Sequence, residues 1–173
     1  MPVVNLELNA KPDTVGQPIV WRLARLFNVV TNVRRARVSE DYGYILLEME
    51  GSPLEIEQAS GYLASLGVVK ADSASSAVPG RPEEAVLQPN TIYVRLSSVS
   101  AEQGQVPALY RIGKDFNVVV NIVRAEFDEE DGGYLEVTLS GPLTDVQRSI
   151  AYLHTTGLHV NPRQRSVTDF SNL

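Results

Sequence analysis

The sequence contains no cysteine and only two histidines among its 173 residues. The absence of cysteine excludes disulfide bonds, a cysteine nucleophile and metal or iron–sulfur sites that are ligated by thiolates. It is consistent with a reducing compartment, and we expect the chain to be cytoplasmic. With 43% hydrophobic residues, the composition is otherwise that of an ordinary globular protein.

Positive charge is also scarce. Lys and Arg number 15 against 21 Asp and Glu, the net charge is −6, and neither half of the chain has more basic than acidic residues. DNA binding depends on basic side chains that neutralise phosphates, so we expect no DNA partner. No apolar run reaches the length of a membrane span, and residues 1–10 alternate apolar and polar types, unlike a signal peptide. We therefore expect no membrane insertion.

Motifs for catalysis and for cofactor binding are missing as well. There is no Gly-x-x-x-x-Gly-Lys-Ser/Thr phosphate loop, and no Ser/His/Asp constellation stands out. His154 and His159 are too few for a metal site. The acidic turn Asp128–Asp131 lacks the spaced ligands and the closing glutamate of a calcium loop. We predict that the protein is not an enzyme and that it uses no cofactor and no metal.

The sequence does contain one unit that is used twice. The stretch "FNVVTNVRRARV" (Phe27–Val38) returns as "FNVVVNIVRAEF" (Phe116–Phe127), at an offset of 89 (116 − 27). In each copy an alternating strand precedes a proline-initiated helix, the quoted strand, a hairpin, a further strand, a second helix and a short closing strand. This β-α-β-β-α-β order is that of the ferredoxin-like fold. We therefore predict an α+β protein with two tandem ferredoxin-like domains, packed as an intramolecular pseudo-dimer.

The domain boundaries follow from composition. A segment rich in Ser, Ala and Pro separates the two copies, and a polar tail follows the second. The predicted parts are domain 1 at residues 1–72, a linker at 73–90, domain 2 at 91–162 and a tail at 163–173. A domain of about 75 residues buries only roughly 60% of its unfolded surface, so each domain gains from packing on the other.

The alternation of residue types assigns faces to the repeated strand. Strict alternation places Asn121 on the helix-facing side and Ile122 on the open side. In the first copy it places Val33 on the open side. It also places Arg34 on the helix-facing side, where a buried arginine would need a partner.

The repeated strand resembles the signature of the NIL domain, which is named for the tripeptide Asn-Ile-Leu. The tripeptides here are Asn-Val-Arg, starting at Asn32, and Asn-Ile-Val, starting at Asn121; the flanking Pro, Phe, Gly and Tyr-Leu positions keep the family order. The family is best known as the C-terminal regulatory domain of bacterial methionine-importer ATPases. The resemblance implies an ACT-like βαββαβ fold, dimerisation through the sheets and binding of L-methionine near the interface. It also implies that Asn32 and Asn121 are ligand-binding residues.

A carboxamide suits this role because it offers two N–H donors and one carbonyl acceptor, which can address the ammonium or the carboxylate of a free amino acid. Apolar residues around it would take the thioether tail. The structural alternative is that each asparagine satisfies backbone groups at the helix–strand junction. The first copy departs from the family pattern at Arg34, which puts its own binding site in doubt.

Two other functions remain open on the sequence. The tandem could be an assembly module that binds a protein partner, or a second copy of itself in a homodimer, and no small ligand. RNA-recognition domains share the βαββαβ order and stack bases on open-face aromatics, positions that Tyr44, Tyr93 and Tyr134 could take. The acidic net charge disfavours the RNA function.

Overall fold

The computed structural model describes residues 2–11, 14, 17–69, 82, 86, 90–98, 107–128 and 130–163. Within these ranges the chain forms four helices and seven strands. In chain order they are β1 (Val3–Ala10), α1 (Ile19–Leu26), β2 (Val30–Val38), β3 (Gly43–Glu50), α2 (Pro53–Ser65), β4 (Asn90–Ser98), α3 (Ala108–Asp115), β5 (Val119–Asp128), β6 (Gly132–Gly141), α4 (Leu143–His154) and β7 (His159–Arg163). The predicted linker 73–90 and tail 163–173 lie almost wholly outside the described residues.

The strands form one antiparallel sheet in the order β1-β3-β2-β5-β6-β4-β7. The fold is therefore mixed α+β, and the second copy has the predicted element order. The short closing strand predicted for the first copy would follow α2 at residues 68–71. It is not seen in the described part of that range, because Val68 and Val69 form a bend and residues 70 and 71 lie outside. The backbone N–H of Asn9 nevertheless donates to the carbonyl of Val68 at 2.8 Å, at the place where a fourth strand would join β1.

Helices cover one face of the sheet and build the core with it. Alternate residues on the inner strands are fully buried, as the pleat of a half-covered sheet requires. These residues include Leu47, Met49, Val137 and Leu139. In each copy a ring pair joins the end of the first helix to the second helix, Phe27 with Tyr62 at 5.6 Å between centroids and Phe116 with Tyr152 at 5.8 Å. Full burial of one large apolar side chain in this core stabilises the fold by about 1.5–3 kcal/mol.

The two halves of the chain meet along β2 and β5. These strands pair in antiparallel fashion over residues 35–38 and 125–128, which makes the sheet continuous from one half to the other. Arg35 Nε lies 2.7 Å from a carboxylate oxygen of Asp128 across this joint. The backbone N–H of Glu130 donates to Asp128 at 2.8 Å and, together with Arg35, holds the pKa of Asp128 below its usual value. We call the contact between the halves the seam.

Helices α1 and α3 pack against each other at the seam. They approach closely because Gly113 of α3 faces Ala24 of α1. A Cβ added to Gly113 would lie 3.1 Å from the Cβ of Ala24 and 3.2 Å from Cδ1 of Trp21. A larger residue at position 113 would therefore crowd both Ala24 and Trp21.

Each of these helices also caps the C-terminal end of the other. Arg25 Nη2 donates to the carbonyl oxygen of Phe116 at 2.7 Å, and Lys114 Nζ donates to that of Phe27 at 3.4 Å. Carbonyls at a helix end lack partners within the helix, and cations there also interact favourably with the helix dipole. Burial lowers the pKa of Arg25, although an arginine stays protonated in proteins. The seam thus combines a strand pairing, a helix contact and two reciprocal caps.

A β-bulge in each copy overturns the faces that strict alternation predicts. The pairing of β2 with β3 skips Arg34, and the pairing of β5 with β6 skips Val123. Val33 and Ile122, predicted on the open face, are each only 7% exposed and belong to the buried side. The prediction of a helix-facing Arg34 is wrong for the same reason. As the extra residue of the bulge it lies on the open face, where its Nε donates to a carboxylate oxygen of Glu48 at 3.0 Å.

Candidate functional site

Two small cavities lie at the seam. The first, which we call the Trp21 pocket, has walls from β1, α1 and β3 of the first half. The second half closes it with residues 120–122 at the start of β5 and with Leu109 of α3. Neither half could form this cavity alone.

The second cavity, which we call the Thr31 pocket, is built in the same way with the halves exchanged. Its walls come from β4, α3 and β6, and the first half closes it with residues 31–33 of β2 and with Val20 of α1. Thr31 in this pocket corresponds to Val120 in the other, at the repeat offset of 89 (120 − 31). Val20 and Leu109 line both pockets, so a shift of α1 against α3 changes both cavities.

The pockets arise because the pairing between β2 and β5 is short. The pairing covers only residues 35–38 of β2 and 125–128 of β5. The first residues of each strand therefore extend beyond the hairpin of the opposite half. Gly43, where β3 leaves its hairpin, lines the Trp21 pocket, and Gly133 lines the Thr31 pocket. Each cavity is therefore the space between a strand start and the opposing hairpin.

The two motif asparagines border these pockets, each at the pocket of the opposite half. Asn121 is part of the wall of the Trp21 pocket, and Asn32 is part of the wall of the Thr31 pocket. The helix-facing position predicted for Asn121 is wrong, because Val120 and Ile122 on either side of it are buried. Strand alternation directs both carboxamides toward the open face, where Asn32 is the cross-strand neighbour of Glu48 and Asn121 that of Thr138. Each asparagine thus lies on a strand that separates an apolar cavity from the polar face of the sheet.

Both pockets are small. Each has a volume of about 40 Å³, which is enough for water, since one water molecule needs roughly 10–15 Å³. Ligand pockets for small molecules are usually about 300–1,000 Å³. An amino acid would therefore enter either pocket only if the seam widened.

Two buried polar atoms at these pockets have no hydrogen-bond partner within the described ranges, Nε1 of Trp21 and Oγ1 of Thr31. Trp21 is 1% exposed and Thr31 is 2% exposed. Native proteins rarely bury such groups unpaired, and water or a ligand commonly supplies the missing bond. Sequence reasoning alone misses both residues. The available signal is that Thr31 takes the place of Val120 in an otherwise apolar strand start.

The open face of the sheet carries polar pairs. Cζ of Arg95 lies 4.1 Å from the ring centroid of Tyr134, and its Nη1 lies 3.4 Å from Glu136. The Tyr134 ring is thus already covered by a guanidinium, which disfavours the stacking of RNA bases there. A wide hollow of about 410 Å³, bordered by the exposed Arg37 and Arg124, lies beside the β2–β5 joint.

The described ranges also lack the features of two other site classes. No helix there is long and apolar enough to cross a membrane. No group of three or more His, Asp or Glu side chains in the described part of the chain is placed to hold a metal ion. His154 and His159 are both exposed. The seam pockets, which both halves line and the two motif asparagines border, are the candidate functional site.

Residues 4–70 and 94–162 each match the family model described as the NIL domain. The two matched stretches correspond to the two copies of the repeat and together span well over half of the chain. The resemblance carried by the strand motif is thereby confirmed in both copies. No curated protein matches the chain.

Proposed function

The chain belongs to the NIL domain family, and we propose that it is a non-catalytic module that senses a free amino acid such as L-methionine. NIL domains are regulatory domains, and this chain carries two of them in tandem. We place the ligand at the seam pockets, with Asn121 and Asn32 as ligand-binding residues. The proposed setting is the cytoplasm, where the module would control a protein partner.

The fold that we propose is a pair of ferredoxin-like, ACT-like domains packed as an intramolecular pseudo-dimer. The strand order β5-β6-β4-β7 in the second half supports this, because it equals the 2-3-1-4 order of a ferredoxin-like sheet. The first half contributes β1-β3-β2, which is the same order without the closing strand. The reciprocal caps of α1 and α3 support a pseudo-two-fold relation between the halves.

One observation carries the proposal. Each motif asparagine borders a cavity whose walls come mostly from the opposite half. An interface site of this kind is what binding near a domain interface requires, and it is formed twice, in both copies of the repeat. The position of Arg34 on the open face removes the objection that the first copy would bury an unpaired charge.

The chemistry of the site suits an amino acid with an apolar tail. The Trp21 pocket is walled mainly by aliphatic and aromatic side chains, including Leu8, Ile45 and Val120, which would surround a thioether. The Trp21 pocket lies on one side of the start of β5, and the Asn121 carboxamide lies on the other. The ammonium or carboxylate of the same ligand could reach the carboxamide past the edge of this strand. A carboxamide can donate to one of these groups and accept from the other.

The small volume of the pockets gives the proposal a regulatory mechanism. A ligand that enters must move α1 against α3, because Val20 and Leu109 line both cavities. Such a ligand binds the widened state of the seam in preference to the closed state, and this difference in affinity is what shifts the population. A partner protein that contacts the seam or the sheet would bind the widened and the closed state with different affinities.

We predict that Asn121→Ala weakens L-methionine binding to the full chain by at least about tenfold, because hydrogen bonds to charged groups contribute roughly 1.5–3 kcal/mol. Isothermal titration calorimetry measures this, and Asn32→Ala tests the second pocket in titrations with other free amino acids. Asn161→Ala, at an exposed position of β7, is the matched control and should bind as the unaltered chain does.

Two outcomes would count against the proposal. If Asn121→Ala and Asn161→Ala bind L-methionine equally well, the asparagine has no part in recognition. If the unaltered chain gives no saturable heat with L-methionine or with other free amino acids, the sensor function is wrong. The assembly module, which needs a protein partner and no ligand, would then be favoured.

A further inference from the structure

The two seam pockets match in construction but differ in chemistry, and one difference lies at a buried position of the strand start. Where the Trp21 pocket has Val120, the Thr31 pocket has Thr31, a side chain of nearly the same shape that carries a hydroxyl. We infer that the pockets are non-equivalent sites, and that the Thr31 pocket takes an amino acid whose side chain forms hydrogen bonds, while the Trp21 pocket takes one with an apolar tail. This inference rests on the function proposed above and names a second class of ligand for it.

The hydroxyl of Thr31 is a buried polar group that lacks a hydrogen-bond partner in the described part of the chain. Thr31 is 2% exposed, and its Oγ1 has no partner within the described residues. The adjoining cavity of about 40 Å³ has room for water, which could satisfy the hydroxyl while no ligand is bound. A ligand that enters this pocket has to displace that water.

The consequence of that displacement depends on the tail of the ligand. A thioether or an aliphatic tail would leave Oγ1 buried without a partner, which loses roughly tenfold in affinity or more. A tail with an amide or a hydroxyl would replace the lost hydrogen bond. Since a hydroxyl can donate and accept, Thr31 itself does not restrict the ligand to one of these two roles.

The Trp21 pocket lacks an equivalent group on its strand. Val120 stands at the position of Thr31, and it is 3% exposed. Nε1 of Trp21 also lacks a partner among the described residues, but the edge of the indole that carries it is turned toward α3. A Cβ built on Gly113 would lie 3.2 Å from Cδ1 and 3.7 Å from Nε1 of Trp21. The unpaired N–H therefore belongs to the helix contact, and the strand wall of this pocket offers an apolar ligand no competing polar group.

L-methionine and L-glutamine are suitable probes because their side chains are similar in length and differ in hydrogen bonding. Trp21 is the only tryptophan of the chain and lines the Trp21 pocket, so its indole ¹H–¹⁵N signal is a single, assigned probe beside that pocket. In the unaltered chain we expect L-methionine to shift this signal with saturation. We expect L-glutamine to release saturable heat through the Thr31 pocket.

The decisive variants exchange the two residues. Thr31→Val should weaken L-glutamine binding about tenfold. It should also create a second L-methionine site, which raises the number of L-methionine molecules bound per chain from one to two. Val120→Thr should weaken the L-methionine response of Trp21 about tenfold. Both changes nearly preserve side-chain volume, and thermal unfolding of each variant checks that the fold is retained.

Each result separates this inference from the proposed function. If L-methionine and L-glutamine bind with the same relative affinities before and after Thr31→Val, the pockets are not distinguished by Thr31 and the inference is wrong, while the sensor function stands. If Thr31→Val weakens L-glutamine binding and raises the stoichiometry of L-methionine binding to two, both are supported. If neither amino acid binds the unaltered chain, both fail together.

Discussion

Replacing Trp21 with alanine is expected to lower the free energy of unfolding by about 3–5 kcal/mol, the range measured for large aromatic residues in protein cores. Trp21 is 1% exposed, and part of what buries it is α3 of the opposite half, at Gly113. The loss therefore includes contacts across the seam as well as contacts within the first half. Chemical denaturation of the full chain measures it.

Tyr110→Ala is the matched control, because Tyr110 occupies the equivalent position of α3 at the offset of 89 (110 − 21) and is only partly buried. Its truncation should cost about 1–2 kcal/mol. A loss of less than about 1 kcal/mol for Trp21→Ala would mean that Trp21 is not enclosed between α1 and α3, and the seam would have to be described differently.

Gly141→Ala is expected to destabilise the chain by about 3 kcal/mol, at the upper end of overpacking effects. Gly141 ends β6, and a Cβ built there would lie 2.6 Å from the backbone carbonyl oxygen of Asn117. Side-chain atoms could rotate away from such a contact, but this one involves backbone at the junction of α3 and β5. The start of β5, which closes the Trp21 pocket, would have to move.

Gly51→Ala provides the comparison in the first copy. The same Cβ would lie 3.0 Å from Cγ1 of Val29 and 3.3 Å from the carbonyl oxygen of Asn28, so a small adjustment of a side chain relieves most of the contact. We expect a loss of about 1 kcal/mol in denaturant unfolding. Equal losses for the two substitutions would contradict the close approach at Gly141.

The mixed α+β fold and most of its helices and strands could be predicted from the sequence because their signals are local and appear twice. Helix α1 begins directly after Pro18 and α3 directly after Pro107, where a proline at the first turn is favourable. The repeat also fixed which strands are equivalent, and the second copy has all the elements expected of it. Two independent instances of a weak pattern are more informative than one strong instance.

The bulge shows where the pattern was applied too strictly. In β2 the buried residues Val33, Ala36 and Val38 are spaced by three and then by two, and two consecutive arginines stand in the gap. Charged residues at successive positions of a half-buried strand indicate an extra residue, since one of them would otherwise face the core. With that signal included, the open-face position of Arg34 follows from sequence.

The seam pockets could not be predicted in this way. They join residues from both copies, and their shape depends on where the pairing of β2 with β5 stops. No periodicity within one copy encodes that register. The asparagines were identified by resemblance, whereas the roles of Val20, Leu109 and Thr31 require the packing of one half on the other.

The most direct test of the central claim is a crystal structure of the full chain grown with L-methionine. The account predicts electron density for the amino acid in the Trp21 pocket, with its polar end within hydrogen-bond distance of the Asn121 carboxamide and with α1 displaced from α3. Ligand density elsewhere, or a seam that stays closed and empty at saturating L-methionine, would contradict it.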